Sequence, residues 1–144
     1  MSIGGGGQLQ ELQQQMEILE SQKEELEADI EELQDDKREI DEAIEGLGVL
    51  ETGSTVQVPL GGDAYVRATI EDMDEVVVSL GGGYAAEESR EKAKETLEAK
   101  KELIDDRIEE VRSEISELDE ETQRLQQQAQ QAQQQMLQQA QQAQ

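Results

Sequence analysis

The sequence predicts an α+β chain in which a long antiparallel two-helix coiled coil carries two β-hairpins between its helices. Three observations predict this fold. Apolar residues repeat every three and four positions at both ends of the chain, and short alternating segments separated by glycines fill the middle. Large aromatic core residues are nearly absent, with two Tyr and no Phe or Trp among 144 residues. A conventional globular core is therefore not expected.

The N-terminal part is predicted to be a leader followed by a helix. Residues 1–7 contain four consecutive glycines and are predicted to be flexible. Residues 8–50 are predicted to form the first coiled-coil helix, because one heptad register runs through them for more than five repeats. Only two positions of this seam are polar, Lys23 and Lys37. Its apolar members are Leu9, Leu12, Met16, Leu19, Leu26, Ile30, Leu33, Ile40, Ile44 and Leu47.

The middle segment, residues 51–86, is predicted to form two hairpins that serve as the oligomerisation region. Gly61-Gly62-Asp63 and Gly81-Gly82-Gly83 each separate two short alternating segments, which is typical of hairpin turns. Pro59 cannot donate to a ladder, so it is predicted at an edge or a bulge. An isolated hairpin is marginal in water, so the apolar faces are predicted to pair with strands of another chain. The residues predicted to mediate this contact are Val56, Val58, Leu60, Val66, Ile70, Val76, Val78 and Leu80.

Residues 87–144 are predicted to form the second coiled-coil helix, because apolar residues again step by four and three from Leu97 to Met136. The last 19 residues, from Gln126 onward, include 13 Gln and no charged residue. In an antiparallel pair this uncharged end meets the Gln-rich start of the first helix at a tip. The apolar residues predicted at this tip are Leu9, Leu12, Met16, Ala132, Met136 and Leu137.

The composition excludes several classes of function. With 36 acidic and 12 basic residues the net charge is −24, so no binding to nucleic acid or to an anionic membrane is expected. A charge of this size on an ordered protein predicts adaptation to a high-salt cytoplasm, where salt screens the repulsion. No secretory signal and no membrane-spanning segment are predicted, and a cytoplasmic location is expected.

The residue types for most catalytic chemistry are missing as well. The chain has no His and no Cys, which removes imidazole acid–base catalysis, thiol nucleophiles and the usual zinc ligands. The glycine clusters lack the Lys-Ser/Thr ending of a phosphate loop, and the acidic clusters lack the spacing of an EF-hand. No enzyme activity, no metal site and no cofactor are therefore expected.

The order of these parts resembles the alpha-type subunit of the archaeal prefoldin family, and the acidity favours a halophilic member. Residues 55–66, a strand ending in Val58-Pro59 followed by a glycine turn and a second strand, are similar to the first hairpin of that family. Residues 75–86 are similar to its second hairpin. Two hairpins instead of one indicate the alpha type over the beta type.

This resemblance implies a hexamer of two alpha and four beta subunits, whose hairpins assemble into intersubunit β-barrels and whose coiled coils hang as tentacles. It also implies an ATP-independent holdase whose tips capture unfolded client polypeptides and deliver them to a group II chaperonin. Two alternatives stay open. The tip residues either hold clients or only complete the coiled-coil seam, and the chain is either such a chaperone or a structural coiled-coil scaffold without chaperone activity.

Overall fold

The computed structural model describes the backbone of residues 3–142 and the side chains of residues 6–142. The predicted α+β architecture, two long helices with two antiparallel hairpins between them, is confirmed. Residues 1–2 of the predicted leader and 143–144 of the predicted tail lie outside the described residues. The elements in chain order are helix α1 (Ile3–Val49), strands β1 (Thr55–Gly61), β2 (Ala64–Thr69), β3 (Val76–Gly81) and β4 (Tyr84–Glu88), and helix α2 (Arg90–Gln142).

Helix α1 follows the predicted heptad register. Every seam position from Leu9 to Leu47 is buried or half-buried, including Lys23 and Lys37. The helix begins at Ile3 instead of Gln8, so glycines 4–7 lie inside it. Glycine in a helix costs about 1 kcal/mol relative to alanine, so these residues are helical through continuity with the helix that follows. The predicted flexibility of this leader stays a prediction.

The end of α1 leads directly into the first hairpin. The Leu50 amide donates to the Gly46 carbonyl at 3.0 Å, and Gly53 has a φ of 87°, a left-handed conformation that favours glycine. The Gly53 amide then donates to the Ile70 carbonyl at 2.8 Å, and the Ile70 amide donates to the Ser54 carbonyl at 2.9 Å. These two bonds extend the β1–β2 ladder beyond the strands and fix the hairpin to the end of the helix.

The two hairpins close through two-residue turns, and in each a register shift precedes the turn. Gly61 pairs with Ala64 and Gly81 pairs with Tyr84, leaving the two-residue loops 62–63 and 82–83. In the first loop Gly62 and Asp63 have φ values of 59° and 61°, the left-handed pair of a type I′ turn. The register shifts just before each loop, between 59 and 61 and between 79 and 81. Of the edge or bulge predicted for Pro59, the structure thus shows a bulge directly after it.

Helix α2 begins at Arg90, later than the predicted residue 87, because β4 continues to Glu88. Val76 pairs with Glu88 in the ladder, so the second hairpin is longer than predicted. Ser89 caps the helix, since its Oγ accepts from the Lys92 amide at 3.2 Å. The burial of Ala93, which has no exposed surface, shows that packing of α2 starts before the predicted first seam residue, Leu97.

The chain divides into two compact units. The first unit comprises the described residues up to Leu33 of α1 together with α2 from Arg107, and the second comprises residues 34–106 with both hairpins. In the first unit Lys23 pairs with Asp119, and its buried apolar side chains are Leu12, Ile108, Val111, Leu125 and Ala132.

In the second unit Lys37 pairs with Asp105, and Asp41 with Lys101. Residue numbers therefore rise along α1 as they fall along α2, which makes the helices antiparallel there. In the first unit the same holds, since Met16 shares a groove with Gln126 while Lys23 contacts Asp119. The predicted antiparallel pairing is present in each unit.

Candidate functional site

The six predicted client residues all lie in the first unit, but the structure exposes only two of them well. Leu12 and Ala132 are buried, and Leu9 and Met16 are half-buried in the α1 seam. Met136 is 38 % exposed and Leu137 is 62 % exposed. We call these two residues the exposed tip pair. The structure thus places the other four predicted residues in the helix–helix seam and leaves the exposed tip pair accessible.

The surroundings of the exposed tip pair are uncharged. Arg124 is the last charged residue of α2, and every residue from 126 to 142 is Gln, Ala, Met or Leu. An apolar segment that approaches this part of α2 desolvates side-chain amides, whose burial costs less than that of carboxylates. The glycine at position 6 of α1 borders open space, since a Cβ atom added to it would meet no heavy atom of its surroundings within 4 Å. The surface of the tip pair therefore differs in charge from the acidic helices that precede it.

The first hairpin presents a partly open apolar face. Val56 pairs with Ala68 and Val58 pairs with Val66, so these four side chains share one face as the alternation predicts. Val56 and Ala68 are half-buried, whereas Val58 and Val66 are exposed. The face is therefore half-buried at the strand ends that lie far from the turn and exposed near the turn.

The bulges place one leucine beside each turn. Leu60 and Leu80 stand at the register shifts without a ladder partner, and Leu60 is 68 % exposed. Strict alternation would put Leu60 on the face of Val58, but a bulge re-aims the side chain and interrupts the alternation. In the second hairpin Val78 is buried and Val76 is half-buried, so the eight predicted oligomerisation residues differ widely in exposure.

Sequence reasoning missed several residues of this region. Tyr65, Val77 and Tyr84 are exposed on the hairpins although none belongs to the predicted apolar alternation. The signal available was residue type, since exposed aromatic side chains are enriched at protein interfaces. Met73, in the segment between the hairpins, is buried, and its amide donates to Thr52 Oγ1 at 3.0 Å. This bond fixes the segment that joins the two hairpins to the loop after α1.

The electrostatics of the helices are set by a few cations among many acids. The carboxylate of Asp119, which accepts a hydrogen bond from Lys23, raises the pKa of that lysine above 10.5, and nearby Glu20 and Glu27 act in the same direction. The carboxylate of Asp41 raises the pKa of Lys101 in the same way. Both lysines are held protonated by acids around them.

One groove of the first unit carries acids from both helices. Glu25 and Asp29 of α1 line it together with Glu114, Glu117 and Glu121 of α2. Like charges that face each other across a groove repel, and salt weakens this repulsion.

Within residues 6–142 no group of three or more acidic side chains is arranged to hold a metal ion. Neither helix, over the part that the structure describes, has a segment long and apolar enough to cross a membrane.

Comparisons with known proteins agree with this geometry. A family model described as prefoldin subunit matches residues 7–135. A protein named prefoldin subunit alpha from Halobacterium salinarum is 70 % identical over 95 residues, which are 65 % of this chain and 62 % of that protein. Its namesake from Haloarcula marismortui is 67 % identical over 86 residues, 60 % of this chain and 56 % of that protein. The matched part thus spans less than two thirds of the length of either relative.

A solved structure shows the same fold. It is described as a cryo-EM structure of filamentous PFD from Methanocaldococcus jannaschii, and it matches with a TM-score of 0.55 at 28 % sequence identity. The match covers 83 % of this chain and 96 % of that chain. The match therefore leaves less than a fifth of this chain uncovered.

Proposed function

This chain belongs to the prefoldin family, with alpha subunits of halophilic archaea among its relatives, and from that premise we propose that it is an ATP-independent holdase subunit acting in the cytoplasm. Its uncharged helix end captures unfolded polypeptides, and the assembly delivers them to a group II chaperonin. The observation that carries the proposal is the exposure of Met136 and Leu137 within an uncharged stretch of an otherwise strongly acidic chain.

The binding at one such end is weak. Complete burial of a leucine side chain stabilises a complex by about 1.5–3 kcal/mol. Leu137 is 62 % exposed, so its contact contributes about 1–2 kcal/mol on that scale, or about 5–30-fold in affinity. Several ends in one assembly raise the total affinity through avidity while each contact stays reversible.

The assembly itself is proposed to form through the hairpins. Val58, Leu60 and Val66 are apolar and exposed, and each hairpin pairs with no third strand among the described residues. An exposed apolar face with free edges favours strand addition from another subunit. We expect the partner to be a prefoldin beta subunit in a hexamer of two alpha and four beta chains, with the strands closing into barrels.

The competing function is a coiled-coil scaffold without chaperone activity. The burial of Leu12 and Ala132 favours it, because those two predicted client residues complete the helix–helix seam. The scaffold hypothesis assigns no function to the exposed tip pair, whereas the holdase proposal requires it. This difference can be tested directly.

The experiment measures light scattering of a guanidine-denatured test enzyme diluted into molar salt, with and without the chain and its beta partner. The wild-type assembly is expected to suppress aggregation, and Met136→Gln with Leu137→Gln should need about tenfold more assembly for the same effect. The matched control is Ile18→Gln, because Ile18 is also exposed, at 57 %, but lies in the charged part of α1. Equal suppression by both variants would refute the assignment of the tip pair, and no suppression by the wild type would support the scaffold.

Assembly is measured separately by sedimentation velocity, so that the proposal of client capture and the proposal of assembly through the hairpins can fail independently. Leu60→Ser should weaken association with the beta partner, whereas Gln57→Ser on the same strand should not. Since the M. jannaschii relative is described as filamentous, the measurement distinguishes a closed hexamer from an open polymer. A monodisperse monomer in the presence of the partner would contradict the assembly proposal.

A further inference from the structure

The lysines in the coiled-coil seam share one geometry. Lys23 Nζ lies 3.0 Å from an oxygen of Asp119 on the opposite helix. The same contact joins Lys37 to Asp105 at 2.5 Å and Lys101 to Asp41 at 2.6 Å. In heptad notation the two apolar seam positions of each repeat are called a and d. Each of these lysines occupies an a position, and each aspartate directly follows a d residue of the helix opposite its lysine. This lysine–aspartate contact therefore occurs in both units, and the lysine belongs to α1 in two of the contacts and to α2 in the third.

These contacts can work in a high-salt solvent. At about 1 M salt the Debye length is about 3 Å, so charges in direct contact still attract while more distant charges are screened. The half-buried lysine stems lie in the seam and the ammonium groups reach its edge. Contact pairs of this kind distinguish one alignment from another even where the overall acidity no longer matters.

The apolar part of the seam does not define the alignment by itself. Leu and Ile occupy most a and d positions of α1, so a shift of α2 by one heptad still sets apolar residues against apolar residues. The charges respond differently to such a shift. One heptad before Asp119 stands Arg112, and one heptad after it stands Gln126. A shifted α2 therefore sets Lys23 against a cation or an uncharged amide.

We propose that Lys23, Asp119 and Arg112 form a register code that aligns α1 with α2 in the first unit. The Lys23–Asp119 contact selects the native alignment, and Arg112 rejects the alignment displaced by one heptad. In this way three charged side chains determine which residues of α1 lie beside the uncharged end of α2. This inference concerns alignment alone and holds whether or not the tip binds clients.

Disulfide capture can report the alignment because the chain has no cysteine of its own. Counting along both helices from the Lys23–Asp119 contact brings Leu26 beside Ile115, so Leu26→Cys with Ile115→Cys reports the native register. Leu26→Cys with Ile108→Cys reports the register displaced by one heptad. Each reporter pair is oxidised in a glutathione buffer in the full chain, and the two cross-link yields are compared at equal helix content.

The decisive variant exchanges two charges without altering the net charge: Arg112→Asp with Asp119→Arg. In its native alignment Lys23 meets an arginine, and in the displaced alignment it meets an aspartate. We expect the ratio of native to displaced cross-link to fall about tenfold, since one contact changes from attraction to repulsion and the other does the reverse. Glu120→Arg is the control, because this exposed residue next to Asp119 points away from the seam, and the ratio should stay as in the wild type.

Three results would overturn the register code. If the exchange variant keeps the wild-type ratio, the connection through the hairpins and the apolar packing set the alignment without the charges. If neither reporter pair cross-links in the exchange variant, the Lys23–Asp119 contact stabilises the native pairing, but the charge at position 112 does not select or reject the displaced one, and the register code is wrong. A shift in the Glu120→Arg control as large as in the exchange variant would have the same meaning, because it would show a nonspecific effect of charge.

Discussion

Replacing Val111 with alanine tests whether the two helices of the first unit are packed as described. Val111 is fully buried, with 0 % of its surface exposed, and its side chain is the largest of the described residues to be so. The substitution removes two methyl groups, worth about 0.8 kcal/mol each, and leaves a small cavity that adds to the loss. The higher helix propensity of alanine returns about 0.6 kcal/mol.

The net destabilisation expected for Val111→Ala is about 1–2.5 kcal/mol, which corresponds to a decrease in Tm of about 4–10 °C for a chain of this size. The assay is urea and thermal unfolding followed by circular dichroism at 222 nm, in molar salt and at one fixed protein concentration because assembly contributes to stability.

The control for this experiment is Leu103→Ala on the same helix, where the leucine is 69 % exposed. This control should change the free energy of unfolding by less than about 0.5 kcal/mol. If Val111→Ala and Leu103→Ala have the same effect, Val111 is not packed between the helices, and the described pairing of the first unit is wrong.

Three further outcomes follow from the electrostatics and the turns. The raised pKa values of Lys23 and Lys101 mean that the folded chain holds these protons more tightly than the unfolded chain. The stabilisation from these protons is therefore complete below the ordinary value of 10.5 and is lost as pH rises through the folded pKa. Thermal scans from pH 9 to 12 should show this loss of stability, and the variant with Lys23→Met and Lys101→Met should lose less; an equal pH dependence of Tm in the two proteins would contradict the prediction. Gly61 has a φ of 100°, so Gly61→Ala should destabilise the hairpin by about 1–2 kcal/mol, while Gly62→Asn should be tolerated, as measured by urea unfolding; equal effects would argue against the turn geometry. Glu117→Gln should reduce the gain in Tm between 0.1 M and 2 M salt because it removes one charge from the acidic groove, and an unchanged gain would show that the groove repulsion is not significant.

Most of the fold could be predicted from local sequence patterns. The heptad spacing of α1 identified every seam position that the structure buries, because a helix of fixed pitch brings residues three and four apart to one face. The glycine clusters located both hairpin turns, since positive φ angles at consecutive positions favour glycine. The matched family and the solved relative confirm the order of these elements.

The details that the patterns did not predict depend on neighbouring strands and helices. Glu88 has a low preference for strands, yet it belongs to β4 because Val76 lies opposite it and because its carboxylate accepts a hydrogen bond from Thr96 Oγ1 at 2.8 Å. Leu60 follows the alternation of β1 in sequence, but the bulge leaves it unpaired. The assignment of client residues to the tip also remains a proposal, since periodicity describes a seam and a binding surface equally well.

The sequence by itself therefore determined the elements of this protein: two heptad helices, two glycine-closed hairpins, and the uncharged end of a chain with a net charge of −24. Each of these depends on residues that are near one another along the chain. Only the tertiary structure decided that Leu12 and Ala132 are buried while Met136 and Leu137 are exposed, and that Lys23 contacts Asp119. Burial and ion pairing depend on what the opposite helix places beside a residue, and that alignment joins residues far apart in the sequence.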